Sequence, residues 1–238
     1  MELSNWKQKL TPLDNEIQLL KTEMINMWQM VLSQLEKAQQ ALVKKDKDLA
    51  REIISTEKRV NAFELKIDRD CEDILALFAP VAVDLRFLLA VLKINMNLER
   101  TGDIAEGIAK FVIDLPENFD TKLLELTRII EMFNQGNEMV AQVMEAFEKE
   151  DTVLARKIFK KDDLLDEINA KASSIVTDYI QKNPSQIDPA LYILSSIRKL
   201  ERVGDQAKNM AEEIIFYSEA KVLKHKPKSK KSQRDEDQ

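Results

Sequence analysis

Apolar residues recur at three- and four-residue steps along most of the chain. Leu88, Val91, Leu98, Ala105, Ala109 and Val112 fall on one stripe, which marks the buried face of an amphipathic helix. Ile193, Ile197, Leu200, Ala207, Ala211 and Ile214 form a second stripe of the same kind, and Met24, Met27 and Met30 read as packing residues of an earlier helix. The spacing predicts six helices, over 12–43, 47–78, 83–114, 118–149, 151–182 and 188–222. Polar or proline-containing segments separate them: Lys44-Lys45-Asp46, Ala79-Pro80, Leu115-Pro116-Glu117-Asn118, and Asn183-Pro184-Ser185. Proline stops a helix or occupies its first turn, so each break has a local cause. Asp188-Pro189 reads as a cap followed by proline at the first helical position, and Asp84-Leu85-Arg86 as a cap and first turn, with Arg86 a candidate anion contact. Helices of about 30 residues run on the order of 45 Å. Three of them joined by short loops make an antiparallel bundle.

The punctuation repeats. Pro12 and Pro116 are 104 residues apart, as are Pro80 and Pro184. Leu-Ala-Arg-Glu-Ile at 49–53 recurs as Leu-Ala-Arg-Lys-Ile at 154–158, and Leu98-Glu99-Arg100-Thr101-Gly102-Asp103 as Leu200-Glu201-Arg202-Val203-Gly204-Asp205. Four anchors in one order argue for an internal duplication. The expected fold is all-α: two tandem antiparallel three-helix bundles, over 1–115 and 116–223, followed by a polar tail, 224–238, whose mixed charge and lack of periodicity read as disorder.

Composition removes alternatives. The chain of 238 residues has four glycines and six prolines, against roughly 16 and about 12 at average usage. Turn-rich β folds and glycine-loop nucleotide sites have little room here. With a net charge of −6, nothing in the bulk balance asks for nucleic acid, whose binding needs a basic surface. The lone Cys71 excludes a disulfide framework or thiolate cage, and on its helix it reads as a small packing residue. The first residues lack the order of a signal peptide and no stretch is long and apolar enough to span a bilayer. A cytoplasmic protein without a membrane span is expected.

Candidate chemistry lies in the repeated motif. Glu99 and Asp103 are spaced i, i+4, as are Glu201 and Asp205, and each pair flanks a glycine on the apolar stripe. Glycine inside a helix is unfavourable by about 1 kcal/mol relative to alanine, which the bland reading attributes to close helix–helix approach. The acids extend a row, Leu85, Leu89, Leu92 and Met96, read as leading toward the seam with the preceding helix. That helix offers Asp162 and Asp166 in the second half, which an antiparallel turn at Pro184 brings level with Glu201 and Asp205. In the first half it offers Glu57, Asn61, Glu64 and Asp68. Glu57 and Asn61 are level with Asp103 and Glu99, and Glu64 and Asp68 lie nearer the loop. The second half therefore reads as the cleaner acidic quartet. Two explanations compete: ordinary ion pairs with Arg100 and Arg202, or a metal site. All-oxygen ligands select hard cations, Mg²⁺, Ca²⁺, Mn²⁺ or iron, over zinc. The only histidine, His225, lies in the tail, so the Glu-x-x-His pattern of bundle di-iron enzymes is missing.

Pro80-Val-Ala-Val-Asp-Leu-Arg86, the two Leu-Glu-Arg-x-Gly-Asp repeats and Glu64-Leu-Lys-Ile-Asp68 resemble the PhoU family, over about residues 10–220. The resemblance implies tandem three-helix bundles and a dimeric cytoplasmic negative regulator of phosphate uptake and of the phosphate-starvation response. Its implied partners are the ATPase of the phosphate ABC transporter and the phosphate sensor histidine kinase. It also implies metal at the E(D)xxxD motifs, as iron or zinc clusters or as Mg²⁺ or Mn²⁺. By matching positions these are Glu64, Asp68, Glu99 and Asp103 in one bundle, and Asp162, Asp166, Glu201 and Asp205 in the other. Asn61 stands where the second half has Asp166.

The leading reading is a non-enzymatic metal-binding adaptor. A metal-dependent phosphohydrolase is the alternative from a different class, since clustered divalent ions activate water. A purely structural helical adaptor, whose acids are only ion-paired, is the third.

Overall fold

The structure, a computed structural model, describes residues 11–115 and 118–223. The expected tail, 224–238, lies outside the described residues, as do residues 1–10 and Pro116-Glu117 of the join.

Among the described residues there are seven α-helices: α1 Pro12–Lys44, α2 Lys47–Phe78, α3 Ala82–Asp114, α4 Thr121–Thr127, α5 Ile129–Lys149, α6 Thr152–Lys182 and α7 Ile187–Glu219. No strand occurs among the described residues. Thr11 caps α1 through a reciprocal capping box with Asp14, with Pro12 in the first turn, satisfying backbone donors that a helix start otherwise leaves open. Asp46 and Asp151, equivalent under the duplication, cap α2 and α6 by accepting two backbone N–H groups each.

Three expectations are corrected. The fourth predicted helix, 118–149, is two helices, because Arg128 is left-handed at φ 55°. Thr127 Oγ1 donates to the Leu123 and Leu124 carbonyls, and the Arg128 guanidinium pairs with Glu131 and Glu167, holding the kink. The last helix begins at Ile187, directly after a 3₁₀ turn over Pro184–Gln186, so Pro189 sits within the first turn and Asp188 is no cap. At the start of α3, Asp84 lies in the first turn and the cap position, Val81, makes no side-chain cap bond. Arg86 Nε donates to the Tyr217 carbonyl of α7 at 3.4 Å.

Helices α1–α3 form one bundle and α5–α7 the other, and a single hydrophobic core runs through both. The bundles meet where α3 packs on α7 and α1 on α5. Trp28 is fully buried, and its Nε1 donates to the Val140 carbonyl of α5 at 3.1 Å. Phe87, Phe147 and Tyr217 complete an aromatic cluster drawn from both bundles. Met24 and Met27 are buried core residues. Cys71 is buried too, and desolvation pushes its thiol up to about 12, well away from thiolate chemistry.

Candidate functional site

The repeated glycines explain themselves at the α2/α3 and α6/α7 contacts. A Cβ on Gly102 would lie 2.7 Å from Glu57 Oε2, and one on Gly204 would lie 2.5 Å from Asp162 Oδ1 and 2.8 Å from Leu165 Cδ2. Each glycine therefore makes room for a carboxylate presented by the preceding helix, and those two carboxylates are buried, at 3% and 4% exposure. Gly204→Ala gains about 1 kcal/mol of helix propensity but overpacks the site by about 2 kcal/mol. The expected result is a net loss of about 1 kcal/mol, read as a lower urea midpoint at unchanged m-value.

In the first bundle Gln34 of α1 donates from Nε2 to Glu57 Oε2 at 2.8 Å and toward the Ile53 carbonyl at 3.3 Å. The other oxygen, Glu57 Oε1, is buried without a hydrogen-bond partner, as is Gln34 Oε1. Desolvation, with added repulsion from Asp103, Glu106 and Glu99, pushes the Glu57 carboxyl up to about 7. Burial likewise raises Glu64, helped by Asp68 and Asp103, and raises Glu99, helped by Asp103 and Glu64. These acids thus share one electrostatic field. Asp68 is held at its edge by Asn95, whose Nδ2 donates to Asp68 Oδ1 and to the Glu64 carbonyl, both at 2.9 Å. Asn61 is exposed.

The second bundle solves the same problem with a lysine. Lys208 Nζ bonds Asp162 Oδ2 and sits 2.8 Å from Asp205 Oδ1. Burial alone would lower the ammonium pKa, but the hydrogen bonds it donates to Asp162 and Asp205 outweigh this and hold it above the ordinary lysine value. Glu201 feels the charges of Asp205, Asp166 and Asp162, and is raised chiefly by desolvation. The quartet expected from spacing is therefore brought together, with an ammonium inside it. At the position equivalent to Lys208 the first bundle carries Glu106, and at the position equivalent to Gln34 the second carries Met139.

Both bundles gather carboxylates, yet among the described residues no three acidic, imidazole or thiol side chains converge tightly enough to form a ready-made ligand set. The first cluster has the donor chemistry for a hard cation: uncompensated carboxylates and one buried, orphaned carboxylate oxygen. In the second, Lys208 supplies a positive charge to Asp162 and Asp205.

Two further readings change. Leu85, Leu89 and Met96 are 36%, 40% and 40% exposed and only Leu92 packs in part on the core, so most of the apolar row leading to Glu99 and Asp103 runs along the solvent edge of α3. Arg100 and Arg202, read as alternative neutralisers of the acids, form no ion pair with them among the described residues; Arg100 only moderates Glu99 from a distance. Spacing alone does not single out Gln34 or Lys208, though each leaves a trace in the sequence. Gln34 interrupts the buried stripe of α1 between Val31 and Ala38, and Lys208 lies i+3 from Asp205.

An all-helical duplicated chain, with a buried acid over a glycine in each half, defines a class of tandem-bundle proteins. The PhoU domain family model matches residues 24–112 and 129–214, and the chain belongs to the PhoU family. It is 35% identical over 214 residues to the phosphate-specific transport system accessory protein PhoU homolog of Borreliella burgdorferi, covering 88% of this chain and 95% of that one. It is 31% identical over 211 residues to PhoU homolog 1 of Thermotoga maritima, covering 89% and 90%. The crystal structure of PhoU from Pseudomonas aeruginosa superposes with a TM-score of 0.82 at 29% identity, over 87% of this chain and 99% of that one.

Proposed function

We propose that this protein is a non-catalytic regulator of phosphate uptake and phosphate-starvation signalling. In this reading it is a cytoplasmic homodimer that works as an adaptor between the ATPase of a phosphate ABC transporter and a phosphate sensor histidine kinase. Relatives named as accessory proteins of the phosphate-specific transport system, matched over most of both chains, support the first part of this reading. Among the described residues no helix is long and apolar enough to cross a membrane, and in this reading attachment to a transporter is through protein contacts. The observation that carries the site is Glu57 Oε1, buried and without a hydrogen-bond partner, among acids whose charges raise one another.

Glu57, Glu64, Glu99 and Asp103, with Asp68 at the edge, would hold a hard cation, Mg²⁺, Mn²⁺ or iron. Bound there, the ion supplies positive charge and a Lewis-acidic coordination point. The chain's own contribution is positional. Gln34 fixes one Glu57 oxygen and leaves the other open, Gly102 lets α2 bring that carboxylate against α3, and Asn95 restrains Asp68. In the second bundle Lys208 does what the ion does in the first, so Asp162, Asp166, Glu201 and Asp205 form a lysine-neutralised counterpart.

Affinity capture from phosphate-replete cells is expected to recover the transporter ATPase and the kinase, and chelator is expected to weaken that recovery. Capture of neither partner, with phosphatase turnover in Mn²⁺, would overturn the adaptor in favour of a hydrolase.

A further inference from the structure

The two arginines that do not neutralise the acids face a groove between α3 and α7. It measures about 460 Å³ and is lined by Arg100 and Lys110 from α3 and by Lys199 and Arg202 from α7, together with three carboxylates. Arg100 and Arg202 are equivalent under the duplication, so the groove presents two guanidinium groups from the two halves. Lys199 is built in more firmly. Its Nζ lies where a Cβ on Gly107 would come within 2.6 Å, and 5.8 Å from the centroid of the Phe111 ring. A side chain at Gly107 would require this ammonium to shift.

The carboxylates offset these charges only in part. Glu106 is taken by Lys110 at 2.6 Å. Asp103 belongs also to the acidic cluster, where its charge raises Glu57 and Glu99. Asp114 is exposed on the groove wall. Among the described residues neither arginine nor Lys199 has a carboxylate within ion-pair distance, although three acids line the same space. Guanidinium groups present planar, paired donors that match the oxygens of a phosphoryl group, and an ammonium adds a point charge.

We propose that this groove is a binding site for a phosphoryl oxyanion, either free orthophosphate or the phosphate chain of a nucleotide, held by Arg100, Arg202 and Lys199. The site is separate from the acidic cluster and needs no metal. Asp103 borders both, so a cation at the cluster relieves repulsion on an anion in the groove, and the two occupancies reinforce each other; this coupling alone rests on the metal reading above.

The test is isothermal titration of the full-length, chelator-treated protein with orthophosphate and, separately, with ATP. Saturable binding of at least one is expected, and the stronger of the two names the source. The double substitution Arg100→Gln/Arg202→Gln is expected to weaken it about tenfold or more, and Lys199→Met by a similar factor, as loss of charge-assisted hydrogen bonds implies. Arg100→Lys/Arg202→Lys keeps the charge and is expected to fall between. Lys171→Gln, on the outer face of α6, leaves binding unchanged. Both arginines are exposed, and an unaltered thermal transition verifies that the variants fold. Absence of saturable binding to the chelator-treated chain, or binding that survives the double substitution, overturns the proposal. Binding that needs metal and ignores the arginines would place the anion on the acidic cluster, overturning the groove while leaving the metal reading intact.

Discussion

Lys208→Met is expected to destabilise the metal-free protein by about 3 kcal/mol, and added divalent cation to restore much of the loss. Asp162 is only 4% exposed, and Lys208 is its resident counter-ion. Removing one partner of a buried pair leaves an uncompensated charge, a defect of about 3–5 kcal/mol; Lys208 is itself partly reached by water, which favours the lower end. The vacated position is then surrounded by Asp162, Asp166, Glu201 and Asp205 and resembles the first cluster. An ion that binds only the folded state at a hundred times its Kd returns about 2.7 kcal/mol. Urea unfolding with chelator and with Mn²⁺ measures both halves of the effect, and elemental analysis should show more bound metal per chain than in the unsubstituted protein. If stability and metal content are both unaltered, Lys208 is not a substitute for a cation.

The opposite sign is expected at Glu57. Its carboxyl stands at about 7 in the fold against 4.5 as an ordinary glutamate. Between those pH values the folded chain keeps the proton that the unfolded chain has released. The native state therefore binds more protons than the unfolded one, and stability falls as pH rises through this window. The stabilisation is full below about pH 4.5 and lost above about pH 7, on the order of 3 kcal/mol in total. Glu57→Gln removes the charge, and its new amide can donate to the unpartnered Gln34 Oε1. In the presence of chelator the substitution is expected to stabilise the protein by about 3 kcal/mol at pH 8 and to change little at pH 4.5, while abolishing metal-dependent stabilisation. Parallel pH–stability profiles for the two proteins would rule this account out.

Most of the fold was legible because the breaks in it have local chemistry. Pro12, Asp46, Pro80, Asp151 and Pro184 each stop or start a helix by rules that need no tertiary context. Arg128 has no such signature. Nothing in Leu-Thr-Arg-Ile marks a left-handed residue, and the kink exists because Thr127, Glu131 and Glu167 hold it from several sides. The candidate site divides in the same way. The i, i+4 acids and the glycine between them can be read off the chain, and so can their opposition across an antiparallel turn. Which carboxylates are buried cannot, since that depends on how far Gly102 and Gly204 let the helices approach. Nor does spacing distinguish a free acidic quartet from one closed by a lysine one turn further on. The difference between the halves rests on two exchanges, Gln34 for Met139 and Glu106 for Lys208, which the repeat aligns in sequence but whose contacts only the folded chain shows.

Trp28 carries one more consequence. Its indole donates across the join to Val140 while its ring rests on Phe147, and Phe87 of the first half stacks on the same residue. A lone half would leave this aromatic face in water, so each half is expected to be less stable alone than paired. The duplicated chain is in that sense an intramolecular dimer. Covalent linkage supplies the second copy at high effective concentration, and this frees the two copies to diverge in what each of them holds.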